Sequence, residues 1–234
     1  MQKSRLLVVF LLSILITLET LASSLPTSMP TLIVKSNDFR LFLGDYVEVF
    51  RDSSNELTRE DIEALYRDGV FTLPESKALQ FGYSNDTIWL TLSLENPTDL
   101  PIISNLEINY APLDSIDVYL IETETTHSEH YPLGDHLPYS LRKIKSRAHI
   151  APLTLQSATS YRIFIKLNSG SSLSVPLYMS SMDKLYQEDH YIQLIMGMFY
   201  GLAIGLFFYN FFLFIIIKDL VYLHYIFYVL SYTL

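Results

Sequence analysis

The 234-residue sequence predicts a mainly β domain, an antiparallel sandwich or barrel outside the membrane, followed by a transmembrane α-helix and the start of a second. Three observations predict it. Short runs of alternating apolar and polar residues recur between turn-forming stretches over residues 46–179, the period-2 signature of strands with one buried face. The run from Ile192 to Ile217 is almost purely apolar, and a bilayer core of roughly 30 Å needs about 20 helical residues to cross it. Residues 1–22 have the three parts of an export signal: Lys3 and Arg5, an apolar core from Leu6 to Leu18, and small residues at Ala22-Ser23-Ser24.

Taken in order, the signal is expected to be cleaved after Ala22, or else after Ser24, with an uncleaved N-terminal anchor as the competing reading. Residues 32–182 form the extracytoplasmic domain, and 190–234 open a helical membrane region with a first span at 192–217 and a truncated second at 221–234. The span begins beside Glu188, Asp189 and His190 and ends at Lys218, which agrees with an inside placement of the positive end. The expected location is the inner (cell) membrane, with the domain on the periplasmic or extracellular side. The chain has no cysteine, which excludes disulfides, thiolate metal sites and lipid attachment at a cysteine. A net charge of −9 argues against a nucleic-acid partner, which would require a basic surface.

Within the domain, Thr87 to Leu94 places Ile88, Leu90, Leu92 and Leu94 on one face and Thr87, Trp89, Thr91 and Ser93 on the other. Tyr161 to Leu167 and Ser115 to Ile121 repeat the pattern, and shorter strands are predicted at Tyr46 to Phe50, Ile102 to Ile108, Ile150 to Leu155 and Leu173 to Met179. Turns fall at Ser84-Asn85-Asp86, Asn96-Pro97-Thr98-Asp99, Ala111-Pro112 and Asn168-Ser169-Gly170. Asn85-Asp86-Thr87 is formally a glycosylation sequon, but turn chemistry accounts for it. One helix is predicted, capped by Thr58 with Asp61 completing a variant capping box, striped by Ile62, Leu65 and Tyr66, and ended by Gly69.

Four pieces follow one another along the domain: Gly82-Tyr83-Ser84 with Ile88-Trp89-Leu90 and Leu94-Glu95-Asn96; Leu113 through Leu120; Leu133-Gly134-Asp135 with Pro138 through Arg142; and Ser172 through Leu177. In this order they resemble the extracellular sensor domain of the bacterial seven-transmembrane receptors with diverse intracellular signalling modules (7TMR-DISM). Gly197 through Gly201, Tyr209-Asn210 and Tyr222 through Tyr225 likewise resemble the opening of that family's helical region. The resemblance implies a jelly-roll-like sandwich similar to carbohydrate-binding modules, sensing a small ligand and signalling through seven helices to a cytoplasmic module. One departure matters. The family usually has Arg two residues after the Trp, and here that place is Thr91, so no ligand role of that arginine transfers.

The candidate ligand-binding residues are Trp89, Tyr119 and Arg142. Trp89 and Tyr119 stand on the polar sides of their strands, where rings can stack on sugar faces; the alternative is that the helix at Thr58 covers this face and makes it a second core layer. Arg142, with Lys143, Lys145 and Arg147, could hold a carboxylate or phosphate, or could mark a solvated strand edge. His127, His130 and His136 with nearby carboxylates offer metal ligands, but the spacing matches no metal motif and reads as a solvated loop, so neither metal nor cofactor is expected. Gly197, Gly201 and Gly205 form a helix-packing stripe suited to other transmembrane helices, the alternative being a kink. No nucleophile-and-base pattern or phosphate loop is present, so the expectation is a binding protein and not an enzyme. Its expected partners are then a small molecule, with a carbohydrate as the candidate, and membrane lipid. A tethered adhesion module and, behind it, a glycan-cleaving enzyme are the rival readings.

Overall fold

The computed structural model describes residues 30–36, 38–125 and 127–233; the export signal read at 1–22 lies outside them. The described chain forms two compact units, a β domain that runs to Met179 and a helical unit from Ser180 onward that includes residues 38–40. In chain order the strands are β1 (Leu32–Ile33), β2 (Arg40–Phe42), β3 (Glu48–Asp52), β4 (Gln80–Tyr83), β5 (Thr87–Asn96), β6 (Ile102–Ile108), β7 (Ser115–Glu122), β8 (Ser128–Leu133), β9 (His149–Leu155), β10 (Thr159–Asn168), β11 (Ser172–Ser174) and β12 (Leu177–Ser180). The helices are α1 (Arg59–Arg67), α2 (Met182–Ile217) and α3 (Leu220–Thr233).

The strands assemble into a mainly antiparallel β-sandwich. One sheet has the order β1-β5-β10-β7-β8, with β3 also paired to β5; a second has the order β2-β12-β6-β9; β4 and β11 form a separate pair. The period-2 pattern decides which faces meet. Ile88, Leu90, Leu92 and Leu94 of β5, Ile163 and Ile165 of β10, and Ile116 and Val118 of β7 are all buried, as are Leu106 and Ile108 of β6, Leu153 and Leu155 of β9, and Leu177 and Met179 of β12. Each such side chain contributes about 1.5–3 kcal/mol relative to exposure, which is why register is firmly set in the central strands. Buried polar side chains are bonded at the sandwich's end: Asn96 donates to the carbonyls of Leu100, Leu155 and Gln156 at 2.9, 3.1 and 2.8 Å, while its carbonyl oxygen receives Thr98 N at 3.0 Å.

The predicted Leu173–Met179 strand is two strands, because Pro176 has no N–H to donate to a ladder and the chain breaks there. Four strands lie outside the sequence prediction: β1, β2, β4 and β8. Helix α1 forms as its sequence indicates. Thr58 accepts from Asp61 N, the Asp61 carboxylate accepts from Thr58 N at 3.0 Å, and Gly69 closes the helix at φ +73°.

In the helical unit, α2 is 36 residues long and starts ten residues before the predicted span. Ser181 caps it by accepting from Lys184 N, with Asp183 in the first turn where a carboxylate favours the helix dipole. At its other end Lys218 takes a left-handed conformation, φ +57°, and donates to Phe214 O at 2.8 Å. Only α2, among the described residues, is long and apolar enough to cross a membrane.

Candidate ligand site

On the outer face of the six-stranded sheet, register builds two rows. Phe50 pairs with Trp89, Trp89 with Lys166 and Lys166 with Asp117; beside them Glu48 pairs with Thr91, Thr91 with Phe164, Phe164 with Tyr119 and Tyr119 with His130. Helix α1 lies over these rows. Trp89 is 0 % exposed, packed with Ile62, Ile121 and Phe164, with Phe50, Leu65, Tyr66 and Phe71 around them. The hydroxyls that made this face look polar are bonded inside: Thr91 Oγ1 donates to Ile163 O at 3.0 Å and Thr87 Oγ1 to Asn55 Oδ1 at 2.8 Å. The expectation of an exposed Trp89 stacking platform is therefore corrected. The amphipathic α1 needs an apolar surface to bury its own stripe, and Trp89 supplies it.

Tyr119 is half-buried at the margin of this cluster. Its ring stacks on His130 with centroids 4.6 Å apart and 9° between planes, and His130 Nε2 is 2.8 Å from an Asp117 carboxylate oxygen. Neither His127 nor His136 joins them, and among the described residues no three His, Asp or Glu side chains converge as metal ligands.

Arg142 stands elsewhere, in the loop joining β8 to β9, and this segment is a loop with one 3₁₀ turn at Tyr139–Leu141, not a strand edge. The start of the loop is pinned at Gly134, whose φ is +115° and whose Cβ, if present, would lie 2.4 Å from Asp114 O. Asp135 N donates to Leu113 O at 2.7 Å and His136 N to Asp114 O at 3.1 Å, so the turn is tied to the base of β7. Arg142 then spans the loop, donating to Gly134 O at 3.4 Å and Ser146 O at 3.3 Å. Between this loop and the adjoining sheet edges lies a cleft of about 230 Å³. Tyr131, Pro132 and Leu133 of β8 and Ile150 and Pro152 of β9 line it, with Leu137, Leu141, Arg142 and Lys143 from the loop.

The charges of this cleft are one-sided. Residues 137–147 contain Arg142, Lys143, Lys145 and Arg147 and no acid. Among the described residues none of the four is ion-paired, and Arg142 Nε is buried without an acceptor. Lys143 Nζ lies 4.6 Å from the Tyr131 ring centroid. Burial, and then the hydrogen bond it donates to Glu129, push the Tyr131 hydroxyl far above its ordinary value, so it stays neutral and engages that carboxylate. His149, buried below the loop, donates from Nε2 to Ala111 O at 3.0 Å; burial pushes it down and it stays neutral near pH 7. Two cations at an apolar cleft are what remain. A second cleft of about 170 Å³ beside β3 differs, since its Arg51 meets Asp86 at 3.5 Å.

In the helical unit, Phe199, Leu202 and Leu206 of α2 face Tyr228 and Tyr232 of α3 across an apolar groove of about 300 Å³. At 100° per residue, Gly197, Gly201 and Gly205 lie on the opposite side of α2, and a Cβ at any of them would meet nothing within 4 Å.

Comparison with known proteins bears on the β domain. A search of curated proteins finds no significant match. Among solved structures, the crystal structure of a Bacillus thuringiensis Cry1Da tryptic core variant is similar over 64 % of this chain at 14 % identity, with a TM-score of 0.31. The present chain spans about a quarter of that one, 24 %, and so slight a likeness has no bearing on function. The family model for the 7TMR-DISM extracellular 2 domain matches residues 44–181, from the turn before β3 to the cap of α2. The β-sandwich followed by a long apolar helix is that of a membrane protein with an extracellular domain, and the chain belongs to the 7TMR-DISM extracellular 2 family.

Proposed function

We propose that this chain is the ligand-sensing front of a signalling receptor in the cytoplasmic membrane, its β domain outside and its helices part of a larger bundle. The observation that supports this reading is the sequence of parts: the family match runs through β12 to Ser181, and a 36-residue helix follows at once, almost purely apolar from Ile192 to Ile217. The role is binding and not catalysis, without a cofactor and without nucleic acid; the partners are a small molecule, lipid and further transmembrane helices. The Gly197, Gly201 and Gly205 face, open and opposite to α3, is the surface for such a helix. A chain that passes repeatedly between two sheets supports a jelly-roll-like arrangement. The expectation of a carbohydrate ligand rested on Trp89 and Tyr119 on the polar sides of their strands and on the implied similarity to carbohydrate-binding modules. With Trp89 in the core, the cleft beside Arg142 is the better-supported place for a small ligand.

The native absence of cysteine gives a direct test of the topology. Ser140→Cys, at an exposed loop position, should react with a membrane-impermeant maleimide in intact spheroplasts. Asp219→Cys should react only after lysis. Protection of Ser140→Cys until lysis would overturn the extracytoplasmic placement.

A further inference from the structure

Resting on that sensing role, we infer that the cleft between β8, β9 and their connecting loop binds a small amphiphilic anion, an apolar body carrying a carboxylate or phosphate monoester head. Two features select this chemistry. The walls are apolar, with Leu133, Leu137, Leu141 and Ile150 among them, so the body of the ligand is hydrocarbon and not polyhydroxylated. The head must be anionic, because Arg142 and Lys143 both reach the cleft with no carboxylate partner among the described residues, in a chain whose net charge is −9. A partly buried guanidinium whose only hydrogen bonds are two long ones to carbonyls keeps donors for a carboxylate or phosphate, which its planar fork fits. Size limits the body. About 230 Å³ is below the roughly 300–1,000 Å³ of drug-sized sites, which fits a short alkyl or single-ring acid and not a long lipid chain. The two other clefts described above do not make this selection: Arg51 already has Asp86, and the groove between α2 and α3 offers only rings and aliphatics.

The test is calorimetric titration of the full chain in phosphatidylcholine nanodiscs, with empty discs as the blank, using octanoate, octanamide and acetate as probes. Octanoate should bind, with octanamide and acetate each at least tenfold weaker. Arg142→Gln should bring octanoate to the level of octanamide, and Leu137→Trp, which fills the cleft from its wall, should remove both. Unchanged far-ultraviolet spectra and melting of the two variants separate lost binding from lost folding. Equal binding of octanoate and octanamide, both removed by Leu137→Trp, would overturn the anionic head but leave a ligand cleft in a sensor. Octanoate binding that survives Leu137→Trp would overturn the site, and no binding of any probe would overturn the ligand class. Octyl phosphate in place of octanoate compares the two heads. Discs with one fifth phosphatidylglycerol then distinguish the source, since weaker octanoate binding there identifies a bilayer headgroup as the occupant and unchanged binding a free molecule.

Discussion

The helix-covered face of the six-stranded sheet and the loop between β8 and β9 are both rich in aromatic and charged side chains, yet they use them in opposite ways. Under α1, the polar atoms of Thr87 and Thr91 are bonded within the fold, Arg162 lies 4.2 Å from the Tyr66 ring centroid, and Lys166 runs over Trp89 at 5.3 Å. In the β8–β9 loop, Tyr139 and Leu141 are exposed and the cations above the cleft find carbonyls and rings but no acids. The first region spends its side chains on stability; the second keeps them available. A ring on a strand therefore says little by itself about binding, and the state of the neighbouring polar groups says more.

Three measurements would break or sharpen this contrast. The largest effect belongs to Trp89→Ala, which removes a fully buried ring and should destabilise the β domain by about 3–5 kcal/mol in urea unfolding. A loss under 1 kcal/mol would show that α1 does not seal a core.

Next is Asp52, which sets the connection from β3 into α1. Its carboxylate accepts from Ser54 N, Ser54 Oγ, Asn55 N and Leu57 N at 2.9, 2.6, 3.1 and 3.2 Å. Burial pushes this carboxyl up, but the four bonds together outweigh burial and hold it below its ordinary 3.8. Because the folded value is depressed, the stabilisation is fully present above about pH 4 and is lost as pH falls through the folded value. Asp52→Ala should cost about 2–3 kcal/mol between pH 5 and 7, and the gap from the unaltered chain should narrow below pH 4. A gap independent of pH would assign the effect to packing alone.

The smallest effect is expected at Arg142→Gln. It gives up two long hydrogen bonds to carbonyls and should change stability by about 1 kcal/mol or less. A loss as large as that of Trp89→Ala would make the arginine a structural brace and dissolve the contrast between the two regions.

The strands β5, β7 and β10 were legible in the sequence because each carries an apolar row on a strict period of two, and β6 keeps that row at Ile102, Leu106 and Ile108 with Ser104 interrupting it. The strands that were not legible lack it. β8 reads Ser-Glu-His-Tyr-Pro-Leu and lies at a sheet edge, β4 contains Gly82 at φ +68°, and β1 is two residues long. At the site, the basic run around Arg142 could be read directly, and its composition of cations and apolar residues without an acid was the available signal. The cleft itself could not, since its walls come from β8 and β9, which belong to different sheets. The burial of Trp89 was equally out of reach of strand periodicity. It depends on where a helix 28 residues away along the chain, around Asp61, comes to rest.

The unbroken length of α2 has a mechanical consequence. Its 36 residues, with no proline among them, make a rod of about 54 Å at 1.5 Å per residue, whereas the hydrocarbon core takes up about 30 Å. Some 16 residues thus remain as a rigid extension beyond the lipid. An unbroken helical ladder is stiff along its axis, so the rise from Ser181 to Ile217 is set by 1.5 Å per residue and not by a flexible connector.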